Sequence, residues 1–122
     1  MDKFSLKPLT CSFEYLEQIP VIVTSGDITS DSEEILTRYF DQALDSDCTV
    51  IAIEFRESFY INSSGIVDLL KLFKKVSNSG KKTFIYLPNE YFNTIFQIIG
   101  LYEIAPPVMN KEELLKLIHS NR

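Results

Sequence analysis

The chain has 122 residues, 45% hydrophobic and 24% charged, which is enough apolar material for one compact domain and too much for a disordered chain. Its net charge of −5 comes from 12 basic and 17 acidic side chains. That balance argues against direct nucleic-acid binding, which needs a concentrated basic surface to displace counterions from phosphates.

The segment from Met1 to Leu9 carries Asp2 and Pro8 and lacks an apolar stretch of signal-peptide length. Apolar runs elsewhere, such as Val50 to Ile53, are strand-sized and fall far short of the ~20 residues a bilayer needs. The expectation is a cytoplasmic protein without membrane insertion, built as a single domain over residues 1–122. Leu9 to Glu17 alternates, with Leu9, Cys11, Phe13 and Tyr15 on one side, and predicts a first strand. Pro20 to Thr24 holds the β-branched run Val21, Ile22, Val23 of a buried second strand, able to pair with the first as a hairpin.

Ser25-Gly26-Asp27 breaks that strand. Ser30 with Glu33, and Asp31 with Glu34, have capping-box spacing. A helix follows, with Leu36, Phe40, Ala43 and Leu44 on one face, and Asp45-Ser46-Asp47 ends it. Thr49 to Phe55 is the third strand, and Arg56 to Ile61 reads as a loop. Asn62-Ser63-Ser64-Gly65 opens the second helix, whose stripe is Ile66, Leu69, Leu70, Phe73 and Val76, with Lys71, Lys74 and Lys75 off it.

Asn78-Ser79-Gly80 stops that helix, and Thr83 to Leu87 is the fourth strand, closed by Pro88. Asn89 can cap a third helix bearing Phe92, Ile95, Phe96 and Ile99, ended by Gly100. Pro106-Pro107 separates a last helix, where Asn110 and Glu113 again have capping-box spacing. Strands alternating with helices define an α/β domain: a four-stranded mixed, mostly parallel sheet packed with about four helices.

Ligands and partners of open α/β sheets gather at the carboxyl ends of the strands. Two loops stand there: Gly26-Asp27-Ile28-Thr29 after the second strand, and Ile61-Asn62-Ser63-Ser64-Gly65 after the third. The second leads into a helix N-terminus, where unpaired N–H groups and the helix dipole favour negative charge. A phosphate on Ser63 suits that field, and so does the plainer reading of Asn62 and Ser63 as ordinary N-caps. A small-anion site at the same helix end is a further alternative.

Enzyme signatures are missing. Gly-x-Ser-x-Gly and Gly-x-x-x-x-Gly-Lys do not occur, and His119, the single histidine, lies near the end of the last helix. With two cysteines, Cys11 and Cys48, and no C-x-x-C spacing, neither a redox dithiol nor a metal site is expected. No cofactor is implied.

In order and spacing, these segments resemble the STAS family, named for sulfate transporters and anti-sigma factor antagonists. The matching pieces are VIVTSGD (Val21 to Asp27), TVIAIEF with FYINSSGIVDLLKLFKKV, and GKKTFIYLPNEYFNTIFQIIGLYEI with its Phe96, Gly100, Leu101 pattern. The resemblance implies an antagonist that binds an anti-sigma factor of ATP-dependent serine kinase fold, and is released when that kinase phosphorylates Ser63. A phosphatase would reset it. Gly26, Asp27, Thr29, Asn62, Ser63, Ser64 and Gly65 then form the partner-binding surface, and no catalytic residue is implied. Asn62 stands where the family usually carries Asp, and Thr29 where many members carry Asp. Both changes remove a carboxylate beside the phosphate, which eases like-charge repulsion and also removes a possible kinase contact. A STAS adaptor that never cycles through phosphorylation is the alternative function.

Overall fold

A computed structural model describes residues 7–120 of the chain. Most of the N-terminal segment read above for a leader, Met1 to Leu6, lies outside the described residues. The strands are β1 (Thr10–Leu16), β2 (Ile19–Ser25), β3 (Val50–Glu57), β4 (Lys82–Tyr86) and β5 (Pro107–Val108). The helices are α1 (Glu33–Leu44), α2 (Ser63–Asn78), α3 (Glu90–Ile98) and α4 (Lys111–Ser120), with short 3-10 turns at Ser30–Ser32 and Leu101–Glu103.

The sheet order is β1-β2-β3-β4-β5, with β1 antiparallel to β2 and the remaining neighbours parallel. The β1–β2 hairpin runs from Thr10↔Ser25 to Leu16↔Ile19. Its two-residue turn, Glu17-Gln18, takes positive φ at both positions (48° and 73°), the twist a tight hairpin demands.

The sheet has five strands where four were expected. The added one, Pro107–Val108, lies in a stretch read above as a mere separator, and proline lacks the N–H a ladder needs. An outer strand tolerates that loss: the Pro106 carbonyl accepts from Ile85 N at 2.9 Å and the Val108 carbonyl from Leu87 N at 2.8 Å. β3 also continues through Arg56 and Glu57, placed above in a loop. Their side chains are exposed, yet Glu57 still pairs with Ser25 after a register shift between Val23 and Ser25.

The sheet buries both faces. β2 and β3 are therefore almost continuously apolar, as central parallel strands are. Ile22, Ile51, Ile53, Phe55 and Ile85 turn toward α1, α2 and α3, where they meet Leu36, Phe40, Leu69, Phe73, Phe92 and Phe96. Edge-to-face pairs tie these helices down: Phe40 on Phe73 at 5.3 Å between α1 and α2, and Phe55 on Phe92 at 5.2 Å between sheet and α3. Val21, Val23, Val50, Ala52 and Phe84 face the other way, under Val108, Leu114 and Ile118. Each fully buried side chain of this size contributes about 1.5–3 kcal/mol.

Helix ends follow short polar side chains. Asn89 Oδ1 accepts from Phe92 N at 2.8 Å and Asn110 Oδ1 from Glu113 N at 2.8 Å, both at the expected positions. The capping box before α1 differs: it joins Thr29 and Ser32, one residue ahead of the nearer expected pair. A 3-10 turn intervenes there, so Ser32 Oγ meets the Thr29 N–H at 2.9 Å and donates to the Asp27 carbonyl at 2.9 Å. Cys11 and Cys48 are free thiols. Among the described residues, no helix is long and apolar enough to cross a membrane.

Candidate functional site

Because β2 and β3 are parallel neighbours, the chain leaves both at the same end of the sheet, and the two loops singled out in the sequence meet there. They are joined backbone to backbone. Gly26 N donates to Glu57 O (3.1 Å), Ile28 N to Tyr60 O (3.0 Å) and Asn62 N to Ile28 O (3.1 Å), forming an isolated parallel bridge between Ile28 and Ile61. Below it, the buried hydroxyls of Thr24 and Ser58 share a 2.7 Å hydrogen bond. From the next loop, Asn89 Nδ2 donates to the Ser58 carbonyl at 3.0 Å.

Two glycines make this closeness possible. A Cβ on Gly65 would stand 2.5 Å from the Ile28 carbonyl oxygen, and one on Gly26 would stand 2.3 Å from that of Pro8. Gly26 also sits at φ +110°, a conformation L side chains rarely adopt. Asp27 fastens the incoming chain on the same side: its Oδ2 accepts from Lys7 N at 2.7 Å while its own N–H donates to Lys7 O at 2.9 Å.

Asn62 is the N-cap of α2, its Oδ1 accepting from Gly65 N at 2.9 Å. Ser63 and Ser64 are then the first two helical residues. Their N–H groups belong to the set a helix cannot satisfy internally. Both serines are exposed, and neither hydroxyl has a hydrogen-bond partner among the described residues. They line an open depression of about 390 Å³ together with Ser30, Glu33, Val67 and Asp68.

All seven residues expected to bind a partner thus fall in two adjoining loops and the first turn of α2, but they do different work there. Gly26 and Gly65 allow close approach, Thr29 is buried in its capping box, and Asp27 and Asn62 spend their side chains on backbone N–H groups. Ser63 and Ser64 alone among the seven present exposed side chains.

Sequence reading missed Glu33, Val67 and Asp68. The signal was available in part, since Val67 and Asp68 follow Ser63 and Ser64 by four residues and share their helix face. Glu33 comes from α1 and required the packing. Asp68 is 8% exposed. Burial, with a hydrogen bond that protonated Asp68 donates to Glu33 and repulsion from Glu33, raises its carboxyl above the ordinary range, while Lys71 pulls the other way. Asn62 and Thr29 therefore do not leave the depression free of carboxyls: Glu33 and Asp68 supply two.

Residues 12–114 match the STAS domain family, and the chain belongs to that family. Among curated proteins, none matches by sequence. Among solved structures, the fold is similar to an anti-sigma factor antagonist from Mycobacterium paratuberculosis, with a TM-score of 0.75 and 14% identity over 91% of this chain and 94% of that one. It is also similar to the anti-sigma factor antagonist SpoIIAA in its unphosphorylated form, with a TM-score of 0.70 and 18% identity over 91% of this chain and 97% of that one. The Bacillus cell fate determinant SpoIIAA in its phosphorylated form gives a TM-score of 0.65 and 19% identity over 89% and 99% of the respective chains. At these identities the likeness is one of fold.

Proposed function

We propose that this STAS domain is an anti-sigma factor antagonist in the cytoplasm, not an enzyme. In this reading it binds an anti-sigma factor of ATP-dependent serine kinase fold and is released by phosphorylation at Ser63. The observation that carries the reading is the setting of Ser63: an exposed hydroxyl, without a hydrogen-bond partner among the described residues, on the first turn of α2, held by loops whose backbones are pinned to each other. A kinase needs an accessible hydroxyl, and a binding surface needs a fixed frame. Two structural relatives are one protein solved in unphosphorylated and phosphorylated forms, which supports a modification-dependent role on this fold.

The electrostatics give the switch its direction. A phosphate adds nearly two negative charges and three strong acceptors at pH 7. The unpaired N–H groups of the first turn favour it, while Glu33 and Asp68 oppose it. A partner packed over Ser63 would have to desolvate that dianion beside two carboxyls, so the complex separates. Phe59 and Tyr60, 61% and 41% exposed in the same loop, supply apolar anchors for the partner.

The test is affinity capture from native lysate with wild-type and Ser63→Asp baits, followed by phosphopeptide mapping after ATP is added. A kinase-fold anti-sigma factor held by wild type, lost by the aspartate variant and able to phosphorylate Ser63 supports the switch. A constitutive adaptor is the second reading, favoured by the Glu33–Asp68 pair because it repels a phosphate. The same partners on both baits, with no Ser63 phosphopeptide, would establish it.

A further inference from the structure

The two edges of the sheet are guarded unequally. β5, on one side, is two residues long and begins in proline. β1, on the other, is seven residues long and carries no proline or lysine, only the charge of Glu14. Short edges, or edges bearing proline or lysine, resist pairing with another chain, and a long bare one invites it. β1 is also accessible: Thr10, Ser12, Glu14 and Tyr15 are exposed, Tyr15 at 67%, and Cys11 and Phe13 are half-buried.

Which backbone groups face outward follows from the hairpin. Its turn holds two residues, Glu17 and Gln18, so Leu16 and Ile19 form the closing hydrogen-bonded pair. The bonded pairs then alternate back through Glu14↔Val21, Ser12↔Val23 and Thr10↔Ser25, and Cys11, Phe13 and Tyr15 turn their N–H and C=O groups away from β2. β1 ends the sheet, and those groups have no partner on that side among the described residues. The side chains of the same three residues lie on the α1 face, where the Phe13 ring sits 4.9 Å from Tyr39 and 6.1 Å from Tyr15.

We propose that β1 pairs antiparallel with β1 of a second copy of this chain, about a two-fold axis at Phe13, joining two sheets into one. The strand's own sequence selects this register. Cys11 meets Tyr15, Phe13 meets Phe13, and Tyr15 meets Cys11 of the second copy, each pair exchanging both N–H···O bonds along the whole of Thr10–Leu16. Ser12 falls opposite Glu14, so no like charges meet, and Glu14 is already held by Arg56 at 2.7 and 2.9 Å. An axis at Glu14 would set two carboxylates against each other. An axis at Ser12 would run Tyr15 and Leu16 past the end of the strand, onto Leu9 and Pro8. An axis between two residues would set outward groups against inward ones and form no ladder. On the α1 face the two Phe13 rings come together. Burial pushes the Cys11 thiol up to about 11 against the pull of Arg38, so Arg38 stands within electrostatic reach of Cys11. The Tyr15 ring opposite Cys11 then meets that guanidinium as a cation–π pair. The interface uses none of the residues around Ser63 and is independent of the anti-sigma reading.

The test is sedimentation velocity of the full chain, kept reduced, from about 5 µM to about 1 mM. One strand with flanking aromatics makes a small interface, so a reversible dimer with a Kd on the order of 10–100 µM is expected. Tyr15→Pro removes an outward N–H and leaves the β1–β2 ladder intact, and should weaken the dimer about tenfold or more. Tyr15→Lys, which sets a cation against Arg38 of the second copy, should do likewise. Circular dichroism shows that both variants fold. Tyr15→Cys reads the register: bonded cross-strand residues stand about 5.5 Å apart, within disulfide reach, whereas positions 11 and 15 of one strand are about 13 Å apart. Oxidation with copper phenanthroline should therefore join the introduced thiol to Cys11 of the second copy, as mapped by mass spectrometry. A monomer up to about 1 mM would overturn the proposal. So would wild-type dimerisation by Tyr15→Pro, or cross-links that run only through Cys48.

Discussion

At the carboxyl ends of β2 and β3, Gly26, Ile28, Asn62 and Gly65 each give their backbone N–H to an identified acceptor. At the amino end of β4, Thr83 keeps an unmatched hydroxyl under a ladder that Pro106 interrupts. Thr83 is 3% exposed, so its end of the sheet is covered although one hydroxyl there lacks a partner among the described residues. The closed end, that of β2 and β3, surrounds a small exposed hydroxyl with a frame of backbone hydrogen bonds, as suits recognition of a fixed surface by a partner. Rigidity and incompleteness are thus separated along the strands, and each can be attacked on its own.

Gly65→Ala should break the closed end most severely. In an isolated helix this change is favourable by roughly 1 kcal/mol. Here the new methyl meets the Ile28 carbonyl oxygen at 2.5 Å and Ile28 Cγ2 at 2.9 Å, both on a residue with no solvent exposure. The neighbour is backbone and cannot swing aside, so the expected loss is about 3 kcal/mol. Urea denaturation with unchanged m-value measures it, and a gain in stability would show that the loops are not pinned as described. The matching change at exposed Gly80, where a Cβ has open space, is the control for size, although its φ of +87° adds local strain.

Asn62→Ala comes next. It removes the cap on Gly65 N, an effect of about 1 kcal/mol. Asn62→Asp keeps an acceptor in place and adds charge at a favourable helix end, so its stability should match or exceed that of wild type. Thermal melts of the pair separate the cap from the residue's other contacts. Equal loss in both variants would mean that Asn62 acts through its amide N–H groups instead.

Much of this was legible in the sequence, for reasons that also mark what was not. Val21-Ile22-Val23 and Val50 to Ile53 announce buried parallel strands because both sheet faces are covered, and the asparagine caps at 62, 89 and 110 show because side-chain capping is local chemistry. β5 was invisible because two residues beginning in proline carry no periodicity, and only the Ile85 and Leu87 amides reveal them as a strand. The seven site residues were found as two loops, but their division into frame and surface depends on through-space partners such as Ile28 for Gly65 and Lys7 for Asp27. Glu33 is 30 residues from Ser63 in sequence, and only the packing of α1 on α2 brings it to the depression.

The smallest expected effect concerns charge within that depression. Burial, the hydrogen bond that protonated Asp68 donates to Glu33 and repulsion from Glu33 raise the Asp68 carboxyl above its ordinary range, with Lys71 opposing, so the folded chain holds a proton that the unfolded chain releases. Stability from this group is fully present below the ordinary aspartic range and is lost as pH rises through the raised value. Asp68→Asn removes the penalty, keeps a donor for Glu33, and should raise Tm slightly at neutral pH. That advantage should close as the solution is acidified. An advantage that grew on acidification would mean that Asp68 is held as an anion by Lys71, reversing the sign of the local field at Ser63. The same substitution in a Ser63→Asp background should relieve part of whatever stability the added carboxylate costs, because one of the two opposing carboxyls is then gone. Thr83→Val, at the other end of the sheet, should leave that pH dependence untouched.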